Sequence, residues 1–402
     1  MRLNRIRILT EILGRHLRKM ILGGLLSISI VGLLVGCGLP QVSAETRLFL
    51  DLTVDYLDEY QLETIEVGGT PVGGLSALAY DRQQGKFYAL SDDRGFESPA
   101  RFYTLSIELD PDRVQIDRVT VENVTLLTDE AGQPFAPGSI DPEGLALSPD
   151  GTLFVSSEGV ASEGIAPFIG EFDRATGQLI RRLPLPDYFR PDAAAEAQTL
   201  GVRDNLGFEA LTVGGTGSGE PYRVFAATES SLLQDTDPDH RESPDSRLLH
   251  YIVVGDRSQL IAEHLYQLDP PPSVLTVSNG LVELLSLDRA SPFASRGGYF
   301  LSLERTFGAS GFGAKLFQVS IARATDVSTL TRASGQLDGI ESLPKQLLLD
   351  LSELELSLDN LEGMTFGPQL QDGTQSLILV SDNNFRDEQI TQFLLCRLYE
   401  SR

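Results

Sequence analysis

The chain has 402 residues but no tryptophan, two cysteines, four histidines and four lysines. The missing tryptophan rules out nothing by itself. The histidines beyond the first 36 residues are His240, His250 and His264, and with no cysteine cluster this scarcity argues against zinc. His240, in Asp237-Pro238-Asp239-His240, reads as a solvated surface residue, with a loop ligand or acid as the alternative. There is no Gly-x-Ser-x-Gly elbow, no Gly-x-x-x-x-Gly-Lys-Ser/Thr loop and no His-Glu-x-x-His pair. That excludes the serine, phosphate-loop and zinc-helix chemistries those motifs carry. Gly308 to Gly313 is glycine-rich but lacks the flanking strand and helix of a nucleotide fold, so a flexible loop is expected there. Helical periodicity is missing outside the N-terminus.

The N-terminus is different in kind. Arg2, Arg5, Arg7, Arg15, Arg18 and Lys19 precede an apolar run from Met20 to Val35, the pattern of a secretion signal over residues 1–36. Leu34-Val35-Gly36-Cys37 resembles a bacterial lipobox, which makes Cys37 the expected lipidation site, residues 37–47 a linker and residues 48–402 a single domain. Cleavage after Ala44, which would release a secreted chain, and a retained membrane anchor are the alternatives. All three put the domain outside the cytoplasm, in the bacterial periplasm or at the cell surface. With Cys37 acylated or removed, Cys396 has no partner, so no intramolecular disulfide is expected. Packing or bound metal must supply the stability instead.

Charge is the next constraint. Thirty-two basic residues against 57 acidic ones give −25, and loss of residues 1–36 removes six cations and one anion, leaving −30. Such a surface repels nucleic acid and anionic lipid and attracts cations. Contact with a membrane is expected only through the lipid anchor, and the chain is expected to be a monomer.

Beyond the leader, short apolar runs alternate with turns rich in the chain's 38 glycines and 21 prolines, which argues for an all-β domain. The runs fall into units of four strands spaced by 66 to 79 residues, each opened by a polar residue and closed by another 15 to 21 residues later. The opening members are Ser76, Glu143, Glu209, Glu283 and Glu362; the closing members are Asp92, Glu158, Glu229, Glu304 and Asp382. The last unit has three strands, and the fourth can come from residues 48–67. This predicts a β-propeller of five blades closed by its two termini, with six blades as the alternative.

If each pair flanks a hairpin, its two members lie side by side at one end of the channel. Two unit charges 4 Å apart repel by about 4 kcal/mol at an effective dielectric of 20, so a ring of carboxylates needs protons or metal ions. Hard oxygen ligands favour Ca²⁺, with Mg²⁺ second. Glu143, Glu209, Glu283 and Glu362 are the candidate catalytic residues or ligands; Asp92, Asp93, Glu158, Glu229, Glu304 and Asp382 are further metal ligands. Arg94, Arg305 and Arg386 follow the closing positions and suit an anionic substrate.

Several segments together resemble the phytase-like group of exported bacterial proteins called "esterase-like activity of phytase". They are Gly74-Leu-Ser-Ala-Leu-Ala-Tyr80, Leu90-Ser-Asp-Asp-Arg-Gly95, Asp141-Pro-Glu-Gly-Leu-Ala146, Phe208-Glu-Ala-Leu-Thr212, Leu303-Glu-Arg305, Leu361-Glu-Gly-Met364 and Leu379-Val-Ser-Asp-Asn-Asn-Phe385. The resemblance covers residues 48–399 and implies a propeller that hydrolyses phosphate esters with calcium. A lysine-rich phosphate site is missing, since Lys86, Lys315 and Lys345 are the lysines of the domain. The expected partner is an anionic small-molecule ester. A non-catalytic propeller binding a surface ligand, and a lactone hydrolase, are the competing readings.

Overall fold

The computed structural model describes residues 48–401, apart from residues 111, 193–197, 216, 237–244, 274, 290–296, 310 and 335–336. The proposed signal, Cys37, the linker and His240 lie outside the described residues. Among the described residues no helix is long and apolar enough to cross a membrane.

Strand β1 (Leu52–Leu62) is followed by a small hairpin, β2 (Glu66–Val67) and β3 (Thr70–Pro71). Blade A then runs through β4 (Leu75–Asp81), β5 (Lys86–Ser91), β6 (Arg101–Asp110) and β7 (Gln115–Leu126). Blade B contains β8 (Pro142–Leu147), β9 (Leu153–Ser157), β10 (Phe168–Phe172) and β11 (Leu179–Arg182). Blade C contains β12 (Phe208–Gly214), β13 (Tyr222–Thr228), β14 (Asp245–Val254) and β15 (Arg257–Gln267). Blade D contains β16 (Thr276–Ser286), β17 (Tyr299–Gly308), β18 (Gly311–Ser320) and β19 (Lys345–Asp350). Blade E contains β20 (Asn360–Gln369), β21 (Gln375–Asp382), β22 (Thr391–Glu400) and, as its outer strand, β1. Each blade is antiparallel, and the fold is the five-bladed propeller that the repeat predicts.

Closure comes from β1 pairing with β22 from Leu52 opposite Glu400 to Leu62 opposite Thr391. The core is not one central mass. Apolar side chains form five large clusters, one in each gap between neighbouring blades, and a small sixth one where Leu265 meets Val327 and Ala333. An inner strand is therefore covered on both faces, which is why β4 and β12 read as continuous runs of small and apolar residues rather than alternating ones. An outer strand such as β15 alternates exposed and half-buried positions along its first half.

Blade D departs from the sequence reading. Its first three strands extend further toward the channel mouth than the apolar runs suggest, and Gly308 pairs with Gly311 at the end of the β17–β18 ladder, in the segment where a flexible loop was expected.

Val54 faces Leu398 across the closing pair, and both lie in the cluster between blades D and E. Leu398→Ala is expected to destabilise the protein by about 2–5 kcal/mol, read as a lower urea midpoint at unchanged slope. No change would mean that terminal pairing does not hold the ring.

Candidate functional site

The site begins with a β-bulge near the start of each inner strand. In blades A, B, C and E the ladder slips at Ser76, at Glu143 with Gly144, at Glu209 and at Glu362, and in each blade the closing residue lies opposite the position two before the bulge. A bulge re-aims its side chain out of the ladder, and here the aim is toward the channel axis. Blade D is offset by one residue. Its bulge is at Val282, with Leu281 opposite Glu304 and Gly280 opposite Arg305. The structural counterparts of the other blades' pairs are thus Val282 and Arg305, not Glu283 and Glu304. A one-residue slip turns every side chain to the opposite face.

Two positions before the bulge stands glycine in three blades and Asp141 or Asn360 in the others, and this was the available signal for the offset. A Cβ on Gly74 would lie 2.2 Å from Asp92 Oδ1, and one on Gly280 would lie 2.0 Å from Glu229 Oε1. A carboxylate occupies the space that a side chain would need. Counting from Gly74, Asp141, Gly207, Gly280 and Asn360 gives the correct frame in all five blades.

The mouth gathers Asp92, Asp141, Glu143, Glu158, Glu209, Glu229, Glu362 and Asp382. Asp92 and Glu143 are partly exposed, and the others are buried. Oxygens of Asp141, Glu143 and Glu158 lie within 4.8 Å of one another, as do those of Glu158, Glu209 and Glu229. Asp141 was missed as a site residue although it stands in the Asp-Pro-Glu segment. Glu158 accepts a hydrogen bond from the Gly207 amide at 2.8 Å. Asp382 accepts one from the Asn384 amide at 2.6 Å, and the side chain of Asn383 accepts from the Gly74 amide at 2.9 Å. Asn384 and Phe385 both adopt left-handed backbone conformations, φ 47° and 51°, so this turn stores strain beside the site.

Three guanidinium groups face the cluster. Arg94 pairs with Asp141 at 2.5 Å and is partly exposed, placing it at the mouth. Arg305 is largely enclosed by the group, its side chain 12% exposed, with Nη2 3.1 Å from Glu229 Oε1, Nη1 2.9 Å from Asn360 Oδ1 and 3.6 Å from Glu362 Oε1. Arg203, absent from the sequence prediction, donates to Ser231 O at 3.0 Å and Ser230 Oγ at 2.8 Å next to Glu229. Arg386 is exposed on the strained turn.

Four expected site residues are placed differently. Asp93 Oδ1 accepts the amides of Gly95, Phe96 and Glu97, while Oδ2 accepts from Ser98 and from Arg101 at 2.7 Å. With its oxygens taken, it organises the loop and is not a metal ligand. Although burial works upward, the Arg101 guanidinium and these amides hold its carboxyl below the usual range. Glu304 points to the other face of β17, accepting from Tyr266 Oη at 2.7 Å and the Asp269 amide at 3.0 Å and pairing with Lys345. Glu283 sits one step deeper, its Oε1 2.9 Å from the Leu284 amide and 3.5 Å from the Leu211 amide, on the wall of a cavity of about 520 Å³. That cavity opens at the opposite end, between hairpin tips such as 81–84 and 148–151, and none of the eight mouth carboxylates lines it. Arg305 has its terminal nitrogens committed to the cluster and is not a free anion clamp. His250 and His264 lie on blade C, beside Arg223 and the Thr325 carbonyl, away from the mouth.

Burial, then neighbouring negative charge, raises the proton affinity of the mouth. Asp92, Glu143, Glu158 and Glu209 are pushed well above the carboxylate range. Glu362 is pushed up to about 8 by burial, with Arg305 pulling the other way, and burial takes Asp382 to about 6.

Glu158 Oε2 and Glu209 Oε2, on residues 1% and 7% exposed, have no hydrogen-bond partner. An unmade bond at a buried carboxylate is costly, so two such atoms in one cluster mark a place for a cation. The donor set is all oxygen, which fits a hard divalent ion.

Fold and site thus define a five-bladed propeller with an acidic channel mouth. The family model "Phytase-like: Esterase-like activity of phytase" matches residues 70–385, and the chain belongs to that family. No curated protein sequence matches it. Among solved structures, an endo-arabinase from Bacteroides thetaiotaomicron is similar at TM-score 0.43 and 10% identity, over 84% of this chain and 98% of that one. A fructofuranosidase from Schwanniomyces occidentalis, solved with fructose, is similar at TM-score 0.40 and 6% identity, over 84% and 58%. A glucose dehydrogenase gives 0.36 and 14%, over 87% and 100%. At these scores the likenesses carry no argument about function.

A carboxyl with a folded-state pKa above its unfolded value favours folding while protonated. Its contribution is complete below the unfolded pKa and is lost as pH rises through the folded one. With a chelator present, the melting temperature is expected to fall as pH rises from about 4 to about 8, the window spanned by Asp382 and Glu362. Calcium added at the upper end is expected to restore it. A melting temperature that stays flat or rises through this window would contradict the clustering.

Proposed function

We propose that the protein is an extracytoplasmic, calcium-dependent hydrolase of phosphate esters or other esters, working at the acidic channel mouth. The observation that carries this reading is the pair of unpartnered buried oxygens on Glu158 and Glu209, set among carboxylates and arginines. Family membership supports the hydrolase class, and the basic and apolar N-terminus supports export with Cys37 as the lipid anchor.

Glu158 and Glu209 would hold the ion, with Glu229 in the same set of close oxygens and Asp141 on the other side of Glu158. A bound divalent cation supplies Lewis-acid polarisation and eases the ionisation of water. In ester hydrolysis the water oxygen joins phosphorus or the acyl carbon, the ester bond breaks, and a proton passes to the departing alcohol. Glu143, partly exposed and raised in proton affinity by burial and by Asp141, suits the residue that carries this proton. Asp92 is the other partly exposed carboxyl of the mouth. Arg94 and Arg386 are the accessible cations that draw an anionic group toward it. Arg305 positions Glu229 and Glu362.

The cluster is mostly buried, which also suits a propeller that uses calcium for rigidity and binds a surface ligand without turnover. A panel of phosphomonoesters, carboxylic esters and lactones separates the two. Calcium-dependent release of phosphate or acid is expected, and Glu143→Gln is expected to lower kcat by about 10²–10⁴-fold with folding intact. Full activity in both Glu143→Gln and Glu209→Gln would exclude this site. Turnover of no ester, with calcium still raising the melting temperature, would leave the binding propeller.

A further inference from the structure

We infer that Arg305 is a built-in counter-cation that holds one half of the carboxylate cluster and limits the mouth to a single divalent ion, bound around Glu158. The inference rests on the metal-binding reading above and adds the number of ions and the reason for it.

The register of blade D is the starting point. Because its bulge falls at Val282, the position that carries Asp92, Glu158, Glu229 and Asp382 in the other blades carries Arg305 here. The guanidinium reaches both neighbouring blades, touching Glu229 of blade C and Glu362 and Asn360 of blade E. Glu229 crowds against Gly280, the residue opposite Arg305, where a Cβ would lie 2.0 Å from Glu229 Oε1. Arg305 has little exposure, and a guanidinium keeps its charge at any working pH, so it is a permanent part of the site.

Oxygen placement divides the cluster in the same way. Among the described residues, the sets of three carboxylates whose oxygens lie within 4.8 Å of one another both run through Glu158. Neither includes Asp92, Glu362 or Asp382. The fully buried unpartnered oxygens at the mouth outside any ion pair are those of Glu158 and Glu209, whereas Glu229 and Glu362 face Arg305 and Asp382 accepts from the Asn384 amide and from Asn360 Nδ2. Blades B and C thus supply one metal locus. On the blade E side, a fixed positive charge stands where a second ion would otherwise be required.

Calorimetric titration of the full-length, folded protein with calcium alone, checked by elemental analysis, reads the stoichiometry directly. Wild type is expected to bind one ion per chain, Arg305→Lys one and Arg305→Gln two. Two ions in wild type, or one in a folded Arg305→Gln, would overturn the proposal. Should Arg305→Gln fail to fold, two variants that keep Arg305 decide: Glu158→Gln is expected to bind none and Glu362→Gln to retain one. Retention by Glu158→Gln, or loss by Glu362→Gln, would overturn it equally. A folded wild type that binds no calcium removes the metal reading itself, a result distinct from a wrong count.

Discussion

Everything in this protein depends on packing five twisted sheets around one narrow axis. Each inner strand is pressed between two neighbours by apolar clusters in the gaps. That burial holds the strand starts close enough for their side chains to meet. The bulges near those starts turn Glu143, Glu209 and Glu362 inward, and the hairpin partners bring Glu158, Glu229 and Asp382 alongside. Hydrophobic packing between blades therefore works against electrostatic repulsion at the mouth.

Repulsion on that scale has to be met by charges of opposite sign or by protons. The protein uses two of these means visibly. Arg94 and Arg305 neutralise Asp141, Glu229 and Glu362, and the raised proton affinities show where neutralisation is incomplete. Unpartnered oxygens mark the remaining deficit at Glu158 and Glu209. Elsewhere two buried arginines are closed into ion pairs: Arg247 holds Asp235 at 2.6 Å and Glu263 at 2.5 Å, and Arg101 holds Asp93. The mouth differs from these closed ion pairs in having an excess of one sign.

Much of the architecture was readable in the chain because each blade repeats one pattern, a short apolar strand opened and closed by polar residues. Strand content, the number of blades and the borrowed outer strand β1 all follow from counting that pattern. The reading failed where one residue of offset mattered. Glu283 and Glu304 look like members of the series, yet a slipped bulge sends Glu304 to Lys345 and Tyr266, leaves Glu283 bonded to backbone amides deeper in the channel, and puts Arg305 in line instead. Asp93, adjacent to Asp92, was drawn into loop capping by five donors. Acidity alone does not tell a ligand from a cap.

What the sequence by itself determined is the periodicity: apolar runs of strand length, turn residues between them and acidic residues at their ends, which leave a closed all-β ring as the way to bury every sheet face. Tertiary structure decided which acids converge, because convergence depends on bulge register and on the facing of side chains across blades, and a shift of one residue reverses that facing without altering composition or spacing enough to be seen. It also decided that a cation encoded in blade D would sit among anions encoded 76 positions before it and 57 after it, an arrangement that exists only once the ring is closed.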